Sequence, residues 1–130
     1  IEAFMGAFGS IADRIVTMGH WSPHQKAWPR AMQFFKAYQE KYEGAVPDYL
    51  DTAMAYMSLE ILEQAVAIAG LDKEKLRDTI ASGTFDTING LVRFEGVENV
   101  ITPTGFLQIQ GSDMHLIWPK EVATSSFQSR

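Results

Sequence analysis

The sequence predicts an α/β protein in which helices pack on a sheet and β-hairpins follow toward the end of the chain. Helical patterns fill most of the chain up to Ala81, and β-branched runs with turn signals fill the rest. The segment Leu50–Ala69 is apolar nearly all round, which indicates a helix buried against two layers. A chain of 130 residues encodes those layers only in part, so we expect a piece of a larger fold.

The first half of the chain alternates predicted helices with one predicted strand. Residues 2–8 predict a short helix, and the apolar, β-branched run Arg14–Met18 predicts a strand. His20–Pro23 predicts a break in regular structure, because proline restricts its own backbone and that of the residue before it. Pro29 suits a first helical turn, and apolar residues at helical spacing then predict an amphipathic helix that ends near Gly44.

Cap and turn signals define the elements after the long helix. Asp72 is suited to cap a further helix, through about Ala81. Asn89-Gly90, between two apolar runs, predicts a tight β-hairpin. A second β-pair is expected at Gly105–Gln110 and Met114–Trp118. Residues 124–130 are mostly small and polar, so we expect a flexible tail.

The composition excludes several classes of function. A formal net charge of −5 and a pI near 5.1 argue against a nucleic-acid partner, because phosphate binding needs clustered lysine and arginine. No apolar run approaches the roughly 20 residues that span a bilayer. The absence of cysteine excludes disulfides and thiolate chemistry, and it fits an oxidising compartment. Any targeting signal is expected to lie upstream of Ile1.

Catalytic signatures are absent from the sequence. It contains no G-x-S-x-G elbow, no P-loop and no G-x-G-x-x-G motif. Asp48 and Asp51 lie one helical turn apart, as do Glu60 and Glu63, and such pairs perform acid–base chemistry when they are buried together. More commonly they mark a helix start and a solvated stripe. The sequence therefore predicts a protein that is not an enzyme.

The three histidines give little indication of a metal centre. His20 and His24 are four residues apart, but Pro23 between them prevents the shared helix face that such spacing requires. His115 lies elsewhere in the sequence, and the sequence offers no cysteine and identifies no carboxylate as a partner of the three histidines. We therefore expect exposed or core-packed histidines, and no metal or cofactor.

A small-molecule binding site is better supported. His20 and Trp21 follow a predicted strand, and open α/β sheets bind ligands where strands end. Asp48 and Tyr49 precede the long helix, whose first backbone N–H groups attract an anion such as a carboxylate. The same aromatic residues could instead pack the two connections together. The sequence leaves both interpretations open for Trp21 and Tyr49.

A series of short motifs resembles one protein family in order and spacing. The motifs are Lys36–Tyr42, Pro47-Asp48-Tyr49, Ala55-Tyr56, Leu62-x-x-Ala65, Leu76-Arg77-Asp78, Phe85-Asp86-Thr87, Gly90–Phe94 and Trp118–Glu121. Between about Ile11 and Ala123, the chain resembles the type I periplasmic solute-binding proteins. The most similar branch serves ABC importers of branched-chain amino acids.

The resemblance implies a fold and a role. Members of this family have two α/β lobes joined by three crossovers, and they trap a ligand as the lobes close. The chain is similar to the C-terminal third only: residues 1–22 would end the second lobe and begin a crossover. Residues 23–123 would return to the first lobe and include the final β crossover, and residues 124–130 would form the tail. The implied function is periplasmic capture of an amino acid or a small organic or aromatic acid for a membrane permease.

The resemblance also implies candidate site residues and consequences for the isolated chain. His20, Trp21, Asp48 and Tyr49 are the candidate cleft residues, and the unusual His20-Trp21 pair leaves room for an aromatic or organic-acid ligand. The alternatives are a ligand-sensing regulatory domain on the same scaffold and a small hydrolase that uses Asp48 and Asp51. Uncovered strand edges and a partly bare Leu50–Ala69 helix predict self-association.

Overall fold

The computed structural model describes residues 2–129 and consists of four helices and six strands in that range. The helices are α1 (Glu2–Phe8), α2 (Pro29–Lys41), α3 (Asp51–Ala69) and α4 (Lys73–Ser82). The strands are β1 (Val16–Gly19), β2 (Thr84–Thr87), β3 (Gly90–Glu95), β4 (Glu98–Asn99), β5 (Gly105–Gln110) and β6 (Asp113–Trp118). Short 3-10 turns lie at Gly9–Ala12 and Lys120–Val122.

The strands form two antiparallel sheets. One sheet has the order β1-β5-β6, and the other has the order β2-β3-β4. Along β6 the side chains alternate: Met114 and Leu116 are buried in the core, while Asp113 and His115 are only half-buried on the opposite face. This alternation determines which side chains of β6 can reach the surface.

Helix α3 is buried along one face. Its buried residues recur at helical spacing and pack against α4 and the β2–β3 hairpin; they are Ala53, Met57, Glu60, Ile61 and Ala65. The opposite flank is exposed, with Leu59 at 64% and Ile68 at 74% exposure. The chain therefore supplies only one of the two layers that the apolar pattern predicts, and it leaves the helix partly bare, as expected of a chain that encodes those layers only in part. Within residues 2–129 no single helix is long and apolar enough to cross a membrane; only α3 and α4 together, bent by 119°, meet that length and composition.

The four predicted helices and both β-pairs are confirmed, with small shifts at their ends. Asp72 caps α4 as expected, because its carboxylate accepts hydrogen bonds from two backbone N–H groups of the first turn. Strand β1 begins two residues later than predicted. Arg14 has a left-handed backbone (φ 66°), and its N–H donates to the carbonyl of Ile109 at 2.7 Å.

The turn of the first hairpin lies one residue earlier than its sequence signal indicates. Thr87 pairs with Gly90, so the connecting residues are Ile88 and Asn89. Gly90 has φ 79°, which glycine adopts without strain. A Cβ atom at Gly90 would lie 2.5 Å from Nε1 of Trp28, so the turn also needs glycine for space.

The last residues make hydrogen bonds to β5 and β6. The side chain of Gln108 donates to the carbonyl of Gln128 at 2.8 Å and accepts from its N–H at 2.9 Å. Thr124 donates its N–H to the carbonyl of Leu116 at 2.7 Å. The mobility of the tail stays a prediction that amide hydrogen exchange would test.

Candidate functional site

A cleft of ≈560 Å³ lies beside the start of α3, within the size range of small-molecule sites. Its wall combines apolar and acidic side chains and one tyrosine: Ala3, Met5, Phe35, Val46, Pro47, Asp48, Tyr49, Ser112, Asp113 and Met114. None of these described lining residues is basic. Two of the four candidate residues from the sequence, Asp48 and Tyr49, therefore line a cavity.

Asp48 orders the backbone that enters α3. Its Oδ1 accepts hydrogen bonds from the N–H groups of Leu50 at 2.8 Å and Asp51 at 2.7 Å. The protein's own carboxylate thus occupies the place at which the sequence suggested an external anion. A second carboxylate would meet the negative charge of Asp48 at this position, which disfavours anion binding there, and the anion site stays a prediction.

Tyr49 is buried and acts as a hydrogen-bond donor to a second carboxylate. Its hydroxyl donates to Oδ1 of Asp113 at 3.1 Å, and only 5% of the residue is exposed. Burial raises the pKa of Tyr49 above its ordinary value, and the negative charge of Asp113 raises it further. The phenol therefore stays neutral and keeps donating to Asp113 at physiological pH.

Asp113 is the most highly connected carboxylate at the cleft. Its Oδ1 also accepts from the N–H of Met114 at 2.7 Å, and its Oδ2 lies 2.6 Å from Nε2 of His24. Burial alone would raise the pKa of Asp113, but the bonds from Met114, His24 and Tyr49 outweigh it and hold this pKa below its usual value. Asp113 is ionised at neutral pH.

Trp21 lies in the core beneath the cleft. It is fully buried, its Nε1 donates to the carbonyl of Ile88 at 3.0 Å, and its ring meets those of Tyr49 and Phe34 edge-on, at 5.2 and 5.8 Å between centroids. An enclosed ring cannot contact a solute in this conformation. Of the two interpretations left open by the sequence, the geometry favours packing for Trp21.

His20 is separate from the cleft. It is partly exposed, its Nδ1 lies 3.4 Å from the carbonyl oxygen of Pro103, and it does not line the cavity. The structure therefore brings Trp21 and Tyr49 into contact, places Asp48 and Tyr49 on the cleft wall, and leaves His20 outside. Direct ligand contact by any of the four stays a prediction.

Asp113 is not among the candidate residues that the sequence indicated. It lies at the first position of β6, next to the turn, where an aspartate usually indicates only turn chemistry. The available signal was the spacing of Asp113 and His115. The predicted strand began at Met114, and a strand that begins one residue earlier places both side chains on one face. That signal alone did not reveal His24, which is 89 residues away in sequence.

Together the elements and the sheet order define part of a periplasmic-binding-protein fold, and comparison with solved structures carries this assignment. A leucine-binding protein, LivK, from Thermotoga maritima matches with a TM-score of 0.70 and 21% sequence identity, over 88% of this chain and 33% of that chain. An ABC transporter substrate-binding protein from Sphaerobacter thermophilus matches with a TM-score of 0.68 and 21% sequence identity, over 84% of this chain and 30% of that chain. No protein-family model and no curated protein matches the chain.

The fold that the sequence motifs implied is thus confirmed. The chain spans about a third of the length of each of the two solved proteins, which fits part of a two-lobed binding protein. At 21% identity this similarity concerns the fold alone. The assignment of residues 1–22, 23–123 and 124–130 to parts of the two lobes stays a prediction.

Proposed function

We propose that this chain is part of a solute-binding protein of an ABC importer, and that the cleft beside α3 contributes to the capture of a small amino acid. The observation that carries the proposal is the acidic, partly apolar wall of that cleft, on a fold shared with two binding proteins. One of those proteins is named a leucine-binding protein. Leucine carries an ammonium group, which an acidic wall attracts, and an apolar side chain, which an apolar wall can receive.

The charges favour the ammonium end of the ligand. Asp48 and Asp113 both line the cleft, and Asp113 is held in its ionised form. An ammonium group placed between carboxylates gains charge-assisted hydrogen bonds, while a ligand with only a carboxylate would be repelled. Apolar side chains such as Phe35, Val46 and Met114 can receive a hydrocarbon side chain. Within the range of ligands that the sequence implied, the structure therefore favours amino acids over simple organic acids.

The same geometry weakens the hydrolase alternative. Asp48 Oδ1 is held by two backbone N–H groups, one of them from Asp51 itself. That oxygen already accepts two hydrogen bonds from the chain's own backbone, so it is poorly placed to accept a proton from a substrate. No described feature favours the regulatory-domain alternative over the importer.

The ligand class can be tested with three compounds that differ by one functional group. Calorimetric titrations of the purified protein would compare leucine, 4-methylpentanoate (which lacks the amine) and 3-methylbutylamine (which lacks the carboxylate). We expect leucine to bind, the amine to keep part of the affinity, and 4-methylpentanoate to bind at least tenfold more weakly than the amine. Tighter binding of 4-methylpentanoate than of 3-methylbutylamine would contradict the proposal.

The role of the acidic wall can be tested with two aspartates one turn apart. Asp48→Asn keeps an oxygen for the backbone N–H groups but removes the charge, so we expect leucine affinity to fall about 10–100-fold, the value of a hydrogen bond to a charged group. Asp51→Asn is the matched control, because Asp51 does not line the cleft; its affinity should stay within twofold of the wild-type value. Equal affinities of the two variants would argue against Asp48 as a ligand contact.

We further propose that the protein works outside the cytoplasm with a membrane permease, and that the isolated 130-residue chain self-associates. The exposed flank of α3, with Tyr56, Leu59, Leu62 and Ile68, supports the second proposal, because apolar surface of this kind favours association. Light scattering after size-exclusion chromatography should show a mass above that of one chain, and Leu59→Lys should reduce it. A monomer at micromolar concentration would contradict self-association, and recovery of the intact protein only from the cytoplasm would contradict the permease partnership.

A further inference from the structure

We propose that His24, Asp113 and His115 bind a divalent transition-metal ion of the class that prefers imidazole ligands, with Zn²⁺ as the best-suited member. One ligand atom from each of the three side chains lies within 4.8 Å of the other two. The proposed metal site shares Asp113 with the wall of the solute cleft, but it does not depend on the identity of the solute.

Two distant segments form the cluster. Asp113 and His115 share one face of β6, because side chains two residues apart on a strand point to the same side. His24 belongs to the loop between β1 and α2, where its N–H donates to Oγ of Ser22 at 3.3 Å. The imidazole rings of His24 and His115 stack with their centroids 5.0 Å apart and their planes at 23°.

The donor set suits zinc better than a hard cation. Two imidazoles and one carboxylate are ligands of Zn²⁺ and related transition metals, whereas Ca²⁺ and Mg²⁺ prefer oxygen alone. Three protein ligands would leave one tetrahedral position for water or another donor. His24 and Asp113 have side chains 34% and 40% exposed, so an ion can reach them from solvent.

His115 provides an independent indication of a ligand. Its Nδ1 is buried and has no hydrogen-bond partner among the described residues. Leaving a buried polar nitrogen unsatisfied is unfavourable, so most such atoms are paired in folded proteins. An ion bound at this ring nitrogen would provide the missing partner.

Neighbouring groups already orient the carboxylate. Asp113 Oδ1 accepts from the hydroxyl of Tyr49 and from the N–H of Met114, which leaves Oδ2 directed at His24. Hydrogen bonds of this kind to a ligating carboxylate fix its direction and strengthen metal sites. The 2.6 Å between Nε2 of His24 and Oδ2 must widen to about 3.3 Å for both atoms to lie about 2.0 Å from one tetrahedral ion. A small rotation of two half-exposed side chains achieves that.

The test is a zinc titration of the metal-stripped, untagged protein by calorimetry. We expect one Zn²⁺ per chain, and at least tenfold weaker binding for both His24→Ala and His115→Ala. His20→Ala is the matched control, because His20 lies outside the cluster, and it should bind zinc as the wild type does. Co²⁺ in place of Zn²⁺ should give the intense visible absorption of a four-coordinate site, and His24→Ala should abolish it.

The proposal would be overturned if His24→Ala left the zinc affinity unchanged, or if His20→Ala weakened it as much as His24→Ala does. His24 is partly exposed, so its alanine variant is expected to keep its fold; circular dichroism would verify this before titration. If His115→Ala unfolds, His24→Ala and the Co²⁺ spectrum decide the outcome. Leucine titrations in the presence of EDTA keep this test distinct from that of the proposed function, because they measure solute binding without metal.

Discussion

The consequence of removing Glu60 can be worked out directly from its contacts. Glu60 lies on the buried face of α3 with only 6% of its surface exposed. Its Oε2 accepts the N–H of Ile88 at 2.8 Å, and its Oε1 accepts a hydrogen bond from Arg30. One carboxylate thus connects α3 with α2 and with the β2–β3 turn.

The expected loss of stability in Glu60→Ala is about 3 kcal/mol. The buried N–H of Ile88 would lose its acceptor, at a cost of about 1–3 kcal/mol. The pair with Arg30 adds about 1 kcal/mol at most, because Arg30 is 39% exposed and also contacts Asp86 at 3.3 Å. For a chain of this size the loss corresponds to a melting temperature lower by about 10 °C.

Equilibrium urea unfolding at pH 7, followed by circular dichroism, measures the effect. Glu63→Ala is the matched control, because Glu63 is exposed one helical turn away, and its free energy of unfolding should change by less than about 0.5 kcal/mol. Glu60→Gln keeps one acceptor oxygen, so its free energy of unfolding should lie between those of the wild type and Glu60→Ala. Equal stabilities of Glu60→Ala and Glu63→Ala would refute the reasoning.

Three further predictions concern pH, the core and the hairpin turn. Burial raises the pKa of Glu60 above its usual value despite the bonds from Ile88 and Arg30, so the folded state holds this proton more tightly than the unfolded state. Proton binding by Glu60 therefore adds stability that is complete below the unfolded pKa and is lost as the pH rises through the folded one, whereas the hydrogen bonds of the carboxylate remain at pH 7. Urea titrations from pH 4 to 7 should show a decline that Glu60→Gln lacks. Trp21→Phe should lower the free energy of unfolding by about 1–3 kcal/mol yet leave leucine affinity unchanged, and weaker leucine binding at full stability would contradict the packing role. Gly90→Ala should lower the free energy of unfolding by about 2 kcal/mol or more, since it adds a clash to backbone strain. Gly111→Ala is the control, because Gly111 has a similar φ of 67° with open space around it, and its loss should be only about 1 kcal/mol. Thermal unfolding measures both losses.

The helices and hairpins were accessible from the sequence because local physics specifies them. The apolar spacing after Pro29 and the cap at Asp72 operate within a few residues, and both elements appear as predicted. The Asn89-Gly90 signal found the hairpin but not its register. In the observed turn Thr87 pairs with Gly90, and the backbone of Ile88 is hydrogen-bonded to Glu60 and Trp21, which are distant in sequence.

The composition and element order of this chain, by themselves, determined an acidic α/β chain with four helices and two β-pairs. The tertiary structure alone decided that Trp21 is enclosed, that Glu60 is buried, and that His24 meets Asp113 and His115. The physical reason is that helical period, caps and turns act over a few residues. Burial and side-chain clusters depend instead on how distant segments pack, which no local pattern encodes.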